Sequence, residues 1–428
     1  MNLLIQYLSI VRQRLAGRTK IRASLYYAVS SITCQVLRFG GVIVSTRSIA
    51  SEQFGLFAKA TLILTIASLI REIGQSGALV AYQGNDKRYV SFNFQLNFFL
   101  GFAAACLAAA AGLFPRIVSP EICQYTWVLG AIIMFDALTL TNTWILQKQF
   151  HFRFLGIVEV ISLITWLATL SVMLGRMPGF LVLLSAQLAE VLVRCVLLFA
   201  KTGLAYVGFS SGKDLCRYYF VQFARPAVPL VIVQGILSRS DYLLLSLLTT
   251  TQELGVYERA MQFARIPISL SINLCDKILL HSYSKAQADV GTLRRMVKQG
   301  TLVVGGAVTV ATAAAAVGLL FFLDRLVGPG WSPMILTLWW FSIPATLMTP
   351  ITSNLNLLFS GIGMPAQLLR NATVMLLADV AIGVILAGSL GARGMLLTRA
   401  FSTAFLLAYQ FSAVRRRLAA ERTAPVQG

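Results

Sequence analysis

Charged side chains interrupt the apolar stretches of this sequence, and they are the groups able to do chemistry there. Glu258, Gln262, Arg265, Ser269 and Asp276 recur at helical spacing, which at about 100° per residue confines them to one narrow stripe. Arg225 and Arg239 fall within about 40° of each other on the preceding helical wheel, with Tyr242 and Ser246 nearby. Ser24, Tyr27, Ser31, Gln35, Arg38 and Ser45 make a third polar face. Faces this polar are not expected to meet lipid, where ionisable groups are costly and usually functional. A guanidinium is a planar fork of donors that matches phosphate oxygens in pairs. Arg38, Arg225, Arg239 and Arg265 are therefore expected to line a cationic cavity for an anion, a diphosphate being one with several such oxygens.

Each of these arginines could instead pair with a buried acid or snorkel to an interface. The cavity is preferred because cations within the apolar stretches outnumber the acids Glu72, Asp136, Glu159, Glu190, Asp241, Glu258, Asp276 and Asp379. For Glu190 and Arg194, one helical turn apart, an i,i+4 pair is the better reading. Lys59, Arg71 and Arg259 are assigned to the cavity or to the membrane interface. Asp136, Glu159 and Asp379 could carry a coupling proton or sodium ion, or serve as arginine counter-ions, with the ion role placed second.

Other chemistries find no support. The two histidines, His151 and His281, are far apart, so neither a zinc site nor a nucleophile-base pair is credible. "SSGKD" lacks the spacing of a P-loop. The six cysteines are scattered without a C-x-x-C pair and read as apolar filler. No cofactor, metal or enzymatic activity is expected, and transport would be driven by a gradient or by removal of product.

The elements that must position these groups are transmembrane helices. Of the 428 residues, 57% are hydrophobic and 12% charged, against about a quarter charged in soluble proteins. Apolar runs of spanning length cover approximately 23–48, 55–81, 91–113, 124–146, 154–175, 178–200, 218–247, 256–282, 299–322, 332–358, 366–388 and 392–414, each near the 20 or so residues a helix needs. The fold class is thus an all-α polytopic membrane protein of about 12 spans. The net charge of +20 sorts to one side. Arg12, Arg14, Arg18, Lys20, Arg22, Lys87, Arg88, Lys148, Arg153, Lys201, Lys213, Arg217, Lys285, Arg294, Arg295, Lys298, Arg415, Arg416, Arg417 and Arg422 fall in alternate loops, whereas the opposite loops hold Arg116, Arg176, Arg325 and Arg393. The positive-inside rule then puts both termini in the cytoplasm and makes the charge a matter of topology, not of nucleic-acid binding.

The chain also echoes itself. "SEQFGLFAKA" at 51–60 returns as "TQELGVYERA" at 251–260, "FPRIVSP" at 114–120 as "LDRLVGP" at 323–329, and "TLTNTW" at 139–144 as "PITSNLN" at 350–356. Two parallel six-helix lobes follow, with Arg38 and Arg239 at near-equivalent positions of a central cavity. The expected layout is a basic cytoplasmic segment 1–22, an N-lobe 23–200, a linker 201–217, a C-lobe 218–414 and a basic tail 415–428. The decapeptide 51–60 is read as the outer turn of the first hairpin, with Gly55 permitting a tight reversal. Bends are expected at Pro226, Pro229, Pro267, Pro344 and Pro350.

The hairpin "SIASEQFGLFAKATLILTIASLIREIGQSGALV" and its echo "LTTTQELGVYERAMQFARIP" resemble the polysaccharide and O-antigen flippases (Wzx type) of the multidrug/oligosaccharidyl-lipid/polysaccharide (MOP) exporter superfamily. Phe54, Gly55, Leu56, Phe57, Gly255, Tyr257 and Ala260 occupy the family's motif positions, while "SIAS" replaces its usual Leu-Gly turn. The resemblance implies twelve helices in two lobes of a bacterial inner-membrane protein. It also implies flipping of an undecaprenyl-diphosphate-linked oligosaccharide to the periplasmic leaflet by alternating access, with membrane lipids and the polysaccharide polymerase or export machinery as partners. Carried onto this chain, the headgroup residues are Arg38, Arg225, Arg239 and Arg265, with Asn142 and Asn354 as sugar contacts. A MATE-type antiporter is the nearest alternative, but acids would then dominate the cavity. A lipid II flippase would carry extra C-terminal helices. A polysaccharide polymerase or ligase would carry a large outer loop, and a scaffold would leave the buried arginines unexplained.

Overall fold

A computed structural model gives the fold and describes residues 29–30, 32–71, 87–115, 118–149, 151–203, 225–265, 268, 283, 290–328, 330–361 and 364–423. The basic segment 1–22, most of the linker 201–217, Pro267, Ser269, Asp276 and His281 lie outside the described residues.

Among the described residues every regular element is a helix. Besides the short helices Ala111–Leu113 and Pro120–Cys123, these are in chain order α1 (32–48), α2 (Ser51–Arg71), α3 (Lys87–Ala110), α4 (Thr126–Lys148), α5 (Phe152–Met173), α6 (Gly179–Thr202), α7 (Arg225–Leu237), α8 (Ser240–Leu248), α9 (251–265), α10 (Val290–Val327), α11 (Ser332–Gly361) and α12 (Pro365–Thr423). Among the described residues, eight helices are long and apolar enough to cross a membrane, or nine if the bent pair α7 and α8 is one span. Apolar helices are the expected outcome, because a spanning backbone must satisfy its own hydrogen bonds away from water.

The chain forms two compact units, Met1–Ser48 with Ile63–Val228, and Ile49–Leu62 with Pro229–Gly428. In the first unit α4 packs against both α3 and α6, and α5 against α6. Buried amides tie these helices together. Asn97 donates to Asn93 (3.0 Å) and to Thr141 (2.7 Å), and Thr141 donates to Asn93 (3.1 Å). In the second unit α11 packs on α10 and α12, and α8 on α12. Its core gathers Tyr242, Leu245, Leu254, Tyr257, Met395 and Leu396 with Ala58 and Leu62 of α2.

Two expectations are corrected. Residues 51–60 are not a turn: α2 starts at Ser51, and the reversal is confined to Ile49 and Ala50. Gly55 therefore serves a helix crossing. A Cβ there would collide with the Thr251 carbonyl, and one at Gly255 with the Ser51 carbonyl. Ser51/Gly55 and Thr251/Gly255 are thus paired small-x-x-x-small faces that bring two backbones into contact. The echo in the sequence marks the two sides of one crossing.

The sharp bend of the seventh span is not at a proline either. Pro229 lies inside α7, whereas the axis turns by 47° between Leu237 and Ser240. Pro344 and Pro350 are likewise carried inside the continuous helix α11. Within α12 the expected spans 366–388 and 392–414 stand as two helices that meet at a kink at Gly391, with φ 59° and ψ −135°.

Candidate functional site

The second unit holds a half-open cavity of about 370 Å³ beside the break between α7 and α8. Gln234, Leu237, Ser238 and Asp241 line it from α7 and α8, Met261 and Arg265 from α9, and Ser342, Ala345, Thr346 and Thr349 from α11. Arg399 and Thr403 close it from α12. Two departures from regular helical hydrogen bonding meet here. α7 stops at Leu237, and Pro350 removes the N–H that would bond the Thr346 carbonyl. Irregular backbone at membrane depth is tolerated where it lines a cavity, and such places are where transporters bind their ligands.

Arg399 holds the break together. Its Nη1 donates to Asp379 at 2.6 Å, and its Nη2 lies 3.1 Å from Asp241, 3.1 Å from the Leu237 carbonyl and 3.3 Å from Ser240 Oγ. Ser240 also donates to Asp379 (3.1 Å), and Tyr257 donates to Asp241 (2.8 Å). Asp379 has no exposed surface and Asp241 almost none, so both carboxylates depend on this guanidinium. A buried acid stripped of its partner would be strongly destabilising.

Arg265 reaches the same cavity from α9. Its Nη2 donates to Tyr242 Oη at 3.3 Å, and its guanidinium carbon sits 5.8 Å from that ring. Arg239 approaches the ring to 5.0 Å at the helix break. One tyrosine thus organises two predicted cavity arginines through its hydroxyl and its π face.

The first unit carries a chain of ion pairs. Arg38 meets Glu190 at 3.3 Å, Glu190 meets Arg194 at 2.6 Å, Arg194 approaches Asp136 at 3.8 Å, and Asp136 takes Arg71 at 2.6 Å. The expected Glu190–Arg194 pair is present, and Arg38 joins it while keeping 57% of its side chain exposed. Asp136 and Asp379 therefore each sit on an intramembrane arginine, the counter-ion arrangement. Glu159, on α5, is half-buried and Arg225, at the start of α7, is exposed.

The remaining sequence-predicted residues are in structural contacts. Lys59 donates to Thr251 Oγ1 (2.8 Å), and the Arg259 guanidinium stacks 3.5 Å from the Phe54 ring centre while donating to Gln262 (2.9 Å). Both flank the Gly55/Gly255 crossing. Asn354 accepts from Tyr283 Oη (2.9 Å) and donates to Thr301 (3.3 Å), whereas Asn142, equally buried, has no hydrogen-bond partner for its Nδ2 among the described residues. Sequence reasoning missed Arg399 and the cavity hydroxyls on Ser342, Thr346 and Thr349. Arg399's position mid-span, facing a span that carries Asp379, was the available signal.

Comparison with known proteins places this geometry. The sequence matches the family model described as polysaccharide biosynthesis protein over residues 44–336. A search of curated protein sequences finds no match. The fold is similar to an inward-facing multidrug resistance MATE family transporter of the MOP superfamily, with a TM-score of 0.75, 14% identity, and 91% of this chain and 96% of that chain covered. It is also similar to the lipid II flippase MurJ in an inward closed conformation, with a TM-score of 0.72, 14% identity, and 91% and 87% covered. An outward-facing MATE family transporter matches at a TM-score of 0.61 and 16% identity, with 95% of this chain and 96% of that chain covered.

Fold and intramembrane charge together define a multi-pass helical membrane protein with the fold of these transporters. Within that class, the chain belongs to the polysaccharide biosynthesis protein family.

Proposed function

We propose that this protein flips an undecaprenyl-diphosphate-linked oligosaccharide from the cytoplasmic to the periplasmic leaflet of a bacterial inner membrane, by alternating access, for polysaccharide assembly. The observation that carries the reading is the intramembrane cavity at a broken helix, lined by the guanidiniums of Arg265 and Arg399, in a chain of a polysaccharide biosynthesis family. A diphosphate offers each guanidinium a pair of oxygens, a stronger acceptor than the tyrosine hydroxyl that Arg265 now uses. Arg239 supports the same headgroup beside Tyr242. Asp136 and Asp379 act as counter-ions that keep Arg71 and Arg399 in place. Both termini are cytoplasmic, and the flipped product is drawn off by the polymerase or export machinery.

The function is tested by deleting the gene and extracting lipids. Undecaprenyl-linked repeat units should accumulate, and only on the cytoplasmic side. Arg265→Ala should reproduce the accumulation with normal protein abundance in the membrane. Deletion without accumulation overturns the reading.

A further inference from the structure

A second cavity, of about 750 Å³, lies in the second unit at the end formed by the α8–α9 turn, the start of α11 and the Gly391 break. Gln252, Glu253, Thr337, Ser389 and Arg393 supply its principal polar lining. Val256, Met334, Leu338 and Leu390 supply apolar walls. This volume and this mixture, apolar walls with a few fixed polar groups, are those of a small-molecule pocket.

The carboxylate of Glu253 is built into place. Its Oε1 accepts the Ala392 N–H at 2.6 Å, and Thr250 Oγ1 accepts the Glu253 N–H at 3.2 Å. The contact requires glycine at 391. Its φ of 59° is one that other residues rarely adopt, and a Cβ there would strike the Glu253 carboxylate. Backbone held in such a conformation concentrates at ligand sites. Arg393, two residues on, is exposed and places a guanidinium at the same rim.

We propose that this pocket is a carbohydrate-binding subsite, in which Glu253 and Arg393 engage sugar hydroxyls and the apolar walls take the C–H faces of the ring. Carboxylate, guanidinium, amide and hydroxyl side chains together can accept from and donate to a polyol, whereas a lipid tail would leave them unpaired. The inference rests on the flippase reading, which puts this end of the unit on the periplasmic side, where the oligosaccharide emerges.

The test titrates full-length protein in detergent with oligosaccharides released from the producing strain's exopolysaccharide, followed by saturation-transfer difference NMR. Three variants are compared. Glu253→Gln keeps an oxygen for the Ala392 N–H, Arg393→Ala removes an exposed group, and Ser389→Trp fills the pocket. Each should weaken oligosaccharide binding about tenfold or more while leaving farnesyl diphosphate binding unchanged. No transfer to the wild type, or equal transfer in all four proteins, overturns the subsite. Accumulation of lipid-linked units in the deletion strain alongside a silent pocket would sink the subsite alone; no accumulation would sink the flippase reading beneath it.

Discussion

Arg399 joins two acids to a helix end, and its Nη2, with two hydrogens, faces three acceptors at 3.1–3.3 Å. It binds two acids and a helix end at once, so its loss should be felt as stability first. Arg399→Leu should destabilise the protein by about 3–5 kcal/mol, the cost of stranding a buried charge. Adding Asp379→Leu should recover part of that loss, because the stranded carboxylate goes with it. Thermal unfolding in detergent measures both, and a double variant no more stable than the single would count against the assignment. Arg265→Ala should behave oppositely, with unfolding changed little and polysaccharide output lost. Periodicity could find polar faces, which is why Arg239 and Arg265 were legible as neighbours of one site. It could not say that Arg38 would meet Glu190, far away in the sequence, or that Arg399 would sit on Asp379. Those pairings depend on how helices distant in sequence are rotated about their axes, and a single-helix wheel carries no such information.

At the scale of elements, the repeated decapeptides were visible as a repeat but not as a contact. Read along the chain, glycine between charged residues looks like a turn, and the turn was expected at Gly55. In the structure Phe54, Leu56, Ala58 and Ala60 are buried, as are Leu254, Tyr257 and Ala260, so packing extends the helices across the glycines. The crossing is then a matter of clearance. Gly55→Ala or Gly255→Ala should force the helices apart and lower the unfolding temperature by several degrees, as a cost of about 1–3 kcal/mol from overpacking would. Gly40→Ala and Gly306→Ala are the controls, since nothing lies within 4 Å of a Cβ at either position; replacing glycine by alanine inside a helix should even stabilise slightly. Equal behaviour of all four variants would contradict the close crossing.

For the whole molecule, the arrangement of charge in the second unit argues a direction across the membrane. Leu293, Val297 and Val414 pack in one cluster, which brings the α10 start and the α12 tail to one end, where Arg294, Arg295, Lys298, Arg415 and Arg416 are exposed. Thr250, Met334 and Gly391 meet around the second cavity at the other, the end that carries Arg325 and Arg393. Under the proposed topology, the positive-inside rule predicts that the arginine-rich end faces the cytoplasm. In a cysteine-free background, Ser389→Cys should therefore react with a membrane-impermeant maleimide in intact spheroplasts, and Ser412→Cys only after permeabilisation. The reverse pattern would invert the direction of transport and move the sugar pocket to the cytoplasmic side. The two labels must disagree for any orientation in which the unit crosses the membrane, so identical labelling would remove the spanning arrangement itself.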